Sequence, residues 1–174
     1  KSVPALQIDV DGIAPGIAVD RIAERFEALG VRDYLVELGG EVRARGRSPS
    51  GRAWRVAVEA PVAGERRPHA LLELDGFAVS TSGDYRDFRE TAGRRVSHTI
   101  DPRTAAPVTH QLTSVTVVHA STAMADAFST ALMVLGPEEG MEAARRLGLA
   151  ALFIARPQGE GPFIESQTAG FARF

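Results

Sequence analysis

The chain has 174 residues, 44% of them hydrophobic and 24% charged, with a formal net charge of −2. That length fits one domain with a sizeable core, and the near-neutral balance argues against a nucleic-acid partner, which calls for a basic face. The absence of cysteine excludes disulfides, thiolate metal sites and a Cys nucleophile, and no apolar run approaches transmembrane length.

In chain order, Leu6 to Val10 reads as a short strand ending in Asp9 and Asp11. Ile17 to Leu29 reads as an amphipathic helix with Ala18, Ile22, Phe26 and Leu29 on one face, stopped by Gly30. Tyr34 to Leu38 is a strand, broken by Gly39-Gly40, and Glu41 to Arg45 continues extended. Trp54 to Glu59 alternates as a strand does. His69 to Leu74 and Phe77 to Ser80 suggest a hairpin across Asp75-Gly76. Arg95 to Ile100 is extended and stops at Asp101-Pro102, and Ser114 to His119 is a β-branched strand. Thr122 to Leu135 and Pro137 to Leu147 are helices, Ala150 to Ala155 is a strand, and the tail supplies one or two more. This order gives antiparallel pairs with helices inserted, so the expected class is α+β, with helices packed on one face of an antiparallel sheet.

Four segments carry possible chemistry. Asp126 is a carboxylate in an otherwise small or apolar stretch, Ala123 to Leu135. Ser129 and Thr130 follow it by three and four residues, so on a helix the three oxygens share a face. Such a set is a half-site for a hard cation, or else one exposed Asp with two packed hydroxyls. Asp9 to Gly16 is a strand-to-helix turn whose glycines could let backbone N–H groups meet an anion, or a plain connection. Ser80-Thr81-Ser82-Gly83-Asp84-Tyr85 is a hydroxyl-rich loop that suits phosphate or sugar, or a turn with local caps. His98 lies in an extended segment with Val96 and Ile100 on its own face. That pattern is more often a satisfied core residue, although an imidazole is a side chain suited to general-base chemistry. The dinucleotide fingerprint, P-loop, nucleophile elbow and zinc-protease motifs are all missing.

Five motifs in order, Gly12 to Asp20, Gly39-Gly40-Glu41, Ser80 to Tyr85, Ser97 to Pro102 and Ala125 to Gly136, make the chain resemble the FAD:protein FMN transferases, the ApbE family. The resemblance runs from about Leu6 to Phe174 and implies a T-fold-related architecture. It matches the C-terminal part of the family pattern, without the N-terminal region that supplies part of the flavin site. A single flavin-transferase domain over residues 1–174 is therefore expected.

The implied reaction moves FMN from FAD onto a Thr or Ser hydroxyl of a target flavoprotein and releases AMP, with Mg2+ as cofactor. The alternatives are a Mg2+-dependent FAD pyrophosphatase and a catalytically weak flavin-binding module. Carried over by position, the resemblance assigns Gly12, Asp126, Ser129 and Thr130 to the metal. It assigns Asp9, Gly12, Pro15 and Ile100 to FAD, and His98 with Asp126 to catalysis. It further implies a periplasmic or membrane-anchored setting, and self-association or completion of the site by another chain. Two positions depart from the family pattern. Pro15 stands where Lys is usual, removing a charge and an N–H, and Ala105 stands where Gly is usual after the Asp101-Pro102-Arg103-Thr104 turn.

Overall fold

Alternating apolar residues on central strands, and a stripe of small residues on the first helix, decide how the layers stack. The computed structural model describes residues 2–5, 8–62, 64, 67–84, 88–91, 94–156 and 161–174, with only the backbone of 88–91 and 94–96. The elements in order are α1 (Ala14–Ala28), β1 (Tyr34–Leu38), β2 (Glu41–Arg45), β3 (Trp54–Glu59), β4 (Pro68–Leu74), β5 (Phe77–Gly83), β6 (Phe88–Thr91) and β7 (Arg94–Ser97). Then come β8 (Ile100–Asp101), β9 (Ala106–Pro107), β10 (Leu112–His119), α2 (Thr122–Arg146), β11 (Ala150–Ala155), β12 (Ile164–Gln167) and a final 3-10 turn, Phe171–Arg173.

A six-stranded antiparallel sheet of order β1-β2-β5-β10-β11-β12 forms the centre. Side chains alternate across a strand, so β10 and β11 serve two cores. Val115, Val117, Ala151 and Phe153 face α2 and join Leu132, Met133 and Met141. Val118, Leu152 and Ile154 face the other way, toward Val58, Leu72, Leu74 and Phe171. The α+β class is as expected, with the helices on one face and the β3–β4 ribbon under the other.

The hairpin across Asp75-Gly76 does not form. β4 pairs with β3, Trp54 opposite Leu74, and β5 pairs with β2 and β10 in the main sheet. Gly76, at φ 76°, turns the chain from one layer to the other, and its N–H donates to the Ala44 carbonyl of β2 at 2.9 Å. Strong local turn residues thus fix a reversal but not which strands pair.

Residues 8–10 are not a strand either; they are irregular and exposed, while Leu6 and Gln7 lie outside the described residues. The helix begins earlier than Ile17, with Pro15 in its first turn, where a missing N–H costs nothing. Its buried stripe is Gly16, Val19 and Ala23, with Phe26 packed against Tyr34 and Val36. Ile22 and Leu29 stay exposed, at 39% and 61%. The stripe is rotated from the expected one because α1 lies close against α2. A Cβ on Gly16 would sit 2.7 Å from the Thr122 carbonyl oxygen and 2.8 Å from the Ala123 Cα. Only a residue without a side chain permits that approach.

The two expected helices near the C-terminus run on as α2, broken at Gly136 (φ 84°, ψ −175°) ahead of Pro137. His110 packs at the break, its Nε2–H donating to the Met133 carbonyl at 2.8 Å. That bond satisfies one carbonyl which Pro137 leaves without an amide donor.

Candidate functional site

The α1–α2 contact builds the site. Ser121 caps α2, accepting from the Met124 N–H at 3.3 Å. One turn later Asp126 projects toward the start of α1 and is only 4% exposed. Its Oδ2 accepts the Gly16 N–H at 2.9 Å. Burial pushes the Asp126 carboxyl above its ordinary pKa, and the Gly16 hydrogen bond opposes this in part. A buried carboxylate with one N–H donor is far from compensated, since desolvating a charge costs several kcal/mol.

Ser129 and Thr130 project from the same face. Thr130 lies against the loop before α1, so that a Cβ on Gly12 would be 3.1 Å from its Oγ1. Opposite them, β5 turns Ser80 and Ser82 toward α2 by its two-residue period. Ser82 Oγ lies 2.8 Å from Ser129 Oγ and 3.0 Å from Thr130 Oγ1. Ser80 Oγ is 3.3 Å from Ser129 Oγ and donates to Glu41 Oε1 at 3.5 Å. Glu41 is 9% exposed. Burial raises its pKa, and the nearby Asp126 charge raises it further, against its own backbone N–H and the Ser80 hydroxyl.

These groups open into a cleft of ≈ 810 Å³. Asp9, Gly12, Pro15, His98, Ile100, Asp126 and Thr130 all line it, and Ser129 stands behind, fully buried. Among the described residues its ionisable side chains are Asp9, Asp11, Glu41, Asp126 and His98, with neither Lys nor Arg. Among the described residues no three His, Asp or Glu side chains group as a metal cluster. A cation here would be held by one carboxylate with hydroxyl and carbonyl oxygens, the donor set a hard ion prefers.

Three local readings change. In the turn before α1, four N–H groups already have partners within the protein. Its Asp11 N–H donates to Asp9 Oδ1, those of Ile13 and Ala14 to the Val10 carbonyl, and that of Gly16 to Asp126. Ser80 to Gly83 are not loop but strand, paired with β10 from Val117 to Ser114, and Tyr85 lies outside the described residues. His98 is not on a strand face. The Thr99 N–H donates to Ser97 Oγ at 3.1 Å, and this local bond ends β7. His98 is thereby left exposed in the bend before β8, at the cleft. The departure at Ala105 has a visible cost, since it takes φ 55°, a conformation that strains an L-residue by roughly 1–2 kcal/mol.

Sequence reasoning quoted Glu41, Ser80 and Ser82 within motifs without giving them roles. Alternation of Ser80 and Ser82 about Thr81 was the available signal, hidden because the segment reads as loop. Gly16 was likewise visible only as part of a turn.

This antiparallel sheet, with its hydroxyl-lined cleft at the junction of two helices, matches solved structures of flavin transferases. The match to known proteins is direct: the ApbE family model covers residues 1–153, and the chain belongs to that family. It is 42% identical over 156 residues to the FAD:protein FMN transferase of Escherichia coli (strain K12), covering 90% of this chain and 44% of that protein. It is 38% identical over 174 residues to the Haemophilus influenzae enzyme of the same name, covering 99% and 50%. Among solved structures, the Pseudomonas stutzeri flavinyl transferase ApbE in its apo form matches with a TM-score of 0.85 and 50% identity, over 97% of this chain and 52% of that one. The Vibrio cholerae flavin transferase ApbE matches at 0.86 and 36%, over 100% and 54%. The chain spans about half the length of these relatives.

Proposed function

We propose that this chain carries the metal-and-base half of a Mg2+-dependent FAD:protein FMN transferase. One observation carries the reading. Gly12, Asp126 and Thr130 meet in one cleft that His98 and Ile100 also line, and among the described residues its lining has four carboxylates and no Lys or Arg. An anionic pyrophosphate entering it would be repelled unless a cation came with it.

The residues fit such an ion. Asp126 is buried, one oxygen is occupied by Gly16, and among the described residues its charge has no basic partner; the Thr130 side chain lines the same cleft. With Gly12 and Ser129 they would hold Mg2+, which would neutralise charge developing on the pyrophosphate. Asp9, Pro15 and Ile100 would line the flavin-nucleotide side. His98 would accept the proton of the acceptor Thr or Ser hydroxyl as its oxygen bonds to the FMN phosphorus. The bond from that phosphorus to the bridging oxygen breaks, and AMP leaves with that oxygen. With Pro15 in place of a cationic residue, FAD binding would depend more heavily on the metal. A partner flavoprotein, and a periplasmic or membrane-anchored setting, belong to this reading through the family resemblance. Among the described residues no helix is long and apolar enough to cross a membrane.

The test is incubation of the 174-residue chain with FAD, Mg2+ and acceptor proteins bearing candidate Thr or Ser residues, followed by intact mass. The expected product is an acceptor carrying one FMN, with an equal amount of AMP. AMP and free FMN without labelled acceptor would replace transfer by pyrophosphate hydrolysis. Bound FAD without AMP would reduce the chain to a flavin-binding module.

A further inference from the structure

Counting protons along the hydroxyl chain beneath Asp126 gives a direction to every bond in it. Each Ser or Thr hydroxyl has one proton to donate and lone pairs to accept. A carbonyl oxygen can only accept, so the 2.9 Å contact between Ser129 Oγ and the Asp126 carbonyl uses the Ser129 proton. Ser129 must then accept at its 2.8 Å contact with Ser82, which makes Ser82 the donor. Having given its proton away, Ser82 must accept at its 3.0 Å contact with Thr130, which makes Thr130 the donor. Ser80 does not disturb this order. It gives its proton to Glu41 or to Ser129, and both contacts leave Ser129 an acceptor.

We infer that Ser82 is a positioning residue for the cation: it takes the Thr130 proton and so leaves only lone pairs of Thr130 Oγ1 facing the cleft. The inference rests on the metal reading of this cleft. Without Ser82 the Thr130 hydroxyl could swing its proton toward the cleft, where it would oppose a cation. With it, the proton runs from Thr130 through Ser82 and Ser129 into the backbone of α2, and the hydroxyl is preset as an acceptor. A sheet residue thereby fixes the donor state of a helix residue, which explains why a hydroxyl on β5 points at the seam with α2. Preset acceptors raise affinity because little has to reorganise when the ion arrives.

The experiment measures Mn2+, as a probe for Mg2+, by electron paramagnetic resonance on the whole chain without flavin. Circular dichroism and a thermal melt confirm that each variant is folded. Ser82→Ala is expected to weaken Mn2+ binding about three- to tenfold, the effect of one net hydrogen bond. Ser82→Thr, which keeps the hydroxyl, should return it to within about twofold. The decisive arm is Thr130→Val: once that hydroxyl is gone, adding Ser82→Ala should change Mn2+ affinity no further, as two residues acting through one contact are not additive. Asp126→Ala, which should abolish binding, separates the two levels of the claim. Binding that survives Asp126→Ala, or that the wild-type chain does not show, overturns the metal reading and this inference together. Binding that depends on Asp126 but is unchanged in Ser82→Ala, or that falls by the same factor with and without Thr130, overturns the role of Ser82 alone.

Discussion

Two carboxylates sit in the same helix seam, one turn of α2 apart, and the fold treats them in opposite ways. Asp20 meets the start of α2. It accepts the Thr122 and Ala123 N–H groups at 2.9 and 3.1 Å, the Ser121 hydroxyl at 2.7 Å and an Arg43 Nη1 donor at 2.8 Å. Burial by itself would raise its pKa, yet the hydrogen bonds from Thr122, Ser121 and Ala123 hold it at about 2. Among the described residues Asp126 has one N–H donor and no basic partner, and burial raises its pKa. Asp20 lies at the positive end of the α2 dipole, where a negative charge is favoured. Asp126 lies past that end, against the acidic cleft. The saturated carboxylate joins the two helices, while the other, with one oxygen engaged by the Gly16 N–H, lines the cleft.

The largest effect on this pairing is expected from Gly16→Ala. Its Cβ would strike backbone of α2 rather than a movable side chain, so the helices must part. We expect a loss of about 3 kcal/mol in urea unfolding and a simultaneous loss of Mn2+ binding. A stable variant with intact binding would show that the close approach does not position Asp126.

Asp20→Asn comes next. Its folded pKa lies below the unfolded value of 3.8, so its contribution is fully present above about pH 4 and is lost as pH falls toward 2. The shift sets an upper limit of about 2 kcal/mol, lowered by solvent screening. Wild-type stability should therefore fall over this acid window by more than that of Asp20→Asn, measured by urea titration at stepped pH. Parallel curves would mean that Asp20 is not the clamp.

Asp126→Asn should move stability the other way. The amide oxygen still accepts from Gly16, while the buried charge is gone. We expect Tm to rise by about 1–3 °C at neutral pH while Mn2+ binding disappears. The sign with pH is also reversed. Asp126 and Glu41 have folded pKa values above their unfolded ones, so acidification through those values stabilises the metal-free chain, and Asp126→Asn should flatten that rise. A lower Tm would place Asp126 among the structural carboxylates with Asp20.

The smallest change is Gly12→Ala. The added methyl meets the Thr130 side chain at 3.1 Å, tight but movable. Stability should change by less than about 1 kcal/mol, and Mn2+ affinity should drop because Thr130 is displaced. Unchanged affinity would separate the Gly12 loop from the cation position.

The sequence alone determined much of the local structure. Period-two and period-3.6 patterns gave most strands and the helices, because burial on one face writes itself into composition. Gly136-Pro137 marked the break in α2, since the pair cannot continue a regular helix. The Asp126, Ser129, Thr130 set was legible because three- and four-residue spacing is local geometry. The family motifs brought Asp9, Gly12, Pro15, His98 and Ile100 into view before the cleft gathered them. Only the tertiary structure decided how these pieces meet. Asp75-Gly76 signalled a reversal, but partner choice depends on faces supplied by distant strands, so β4 went to β3 and β5 to the centre of the sheet. The buried face of α1 followed from how closely Gly16 lets α2 approach, which hydrophobicity does not encode. Whether Asp20 or Asp126 would be saturated turned on donors from Ser121, Thr122, Ala123 and Arg43, up to 103 residues away in the chain. Long-range hydrogen bonds of this kind leave no periodic trace, which is why the Asp20 clamp and the contacts of Ser82 with Ser129 and Thr130 emerged only from the folded chain.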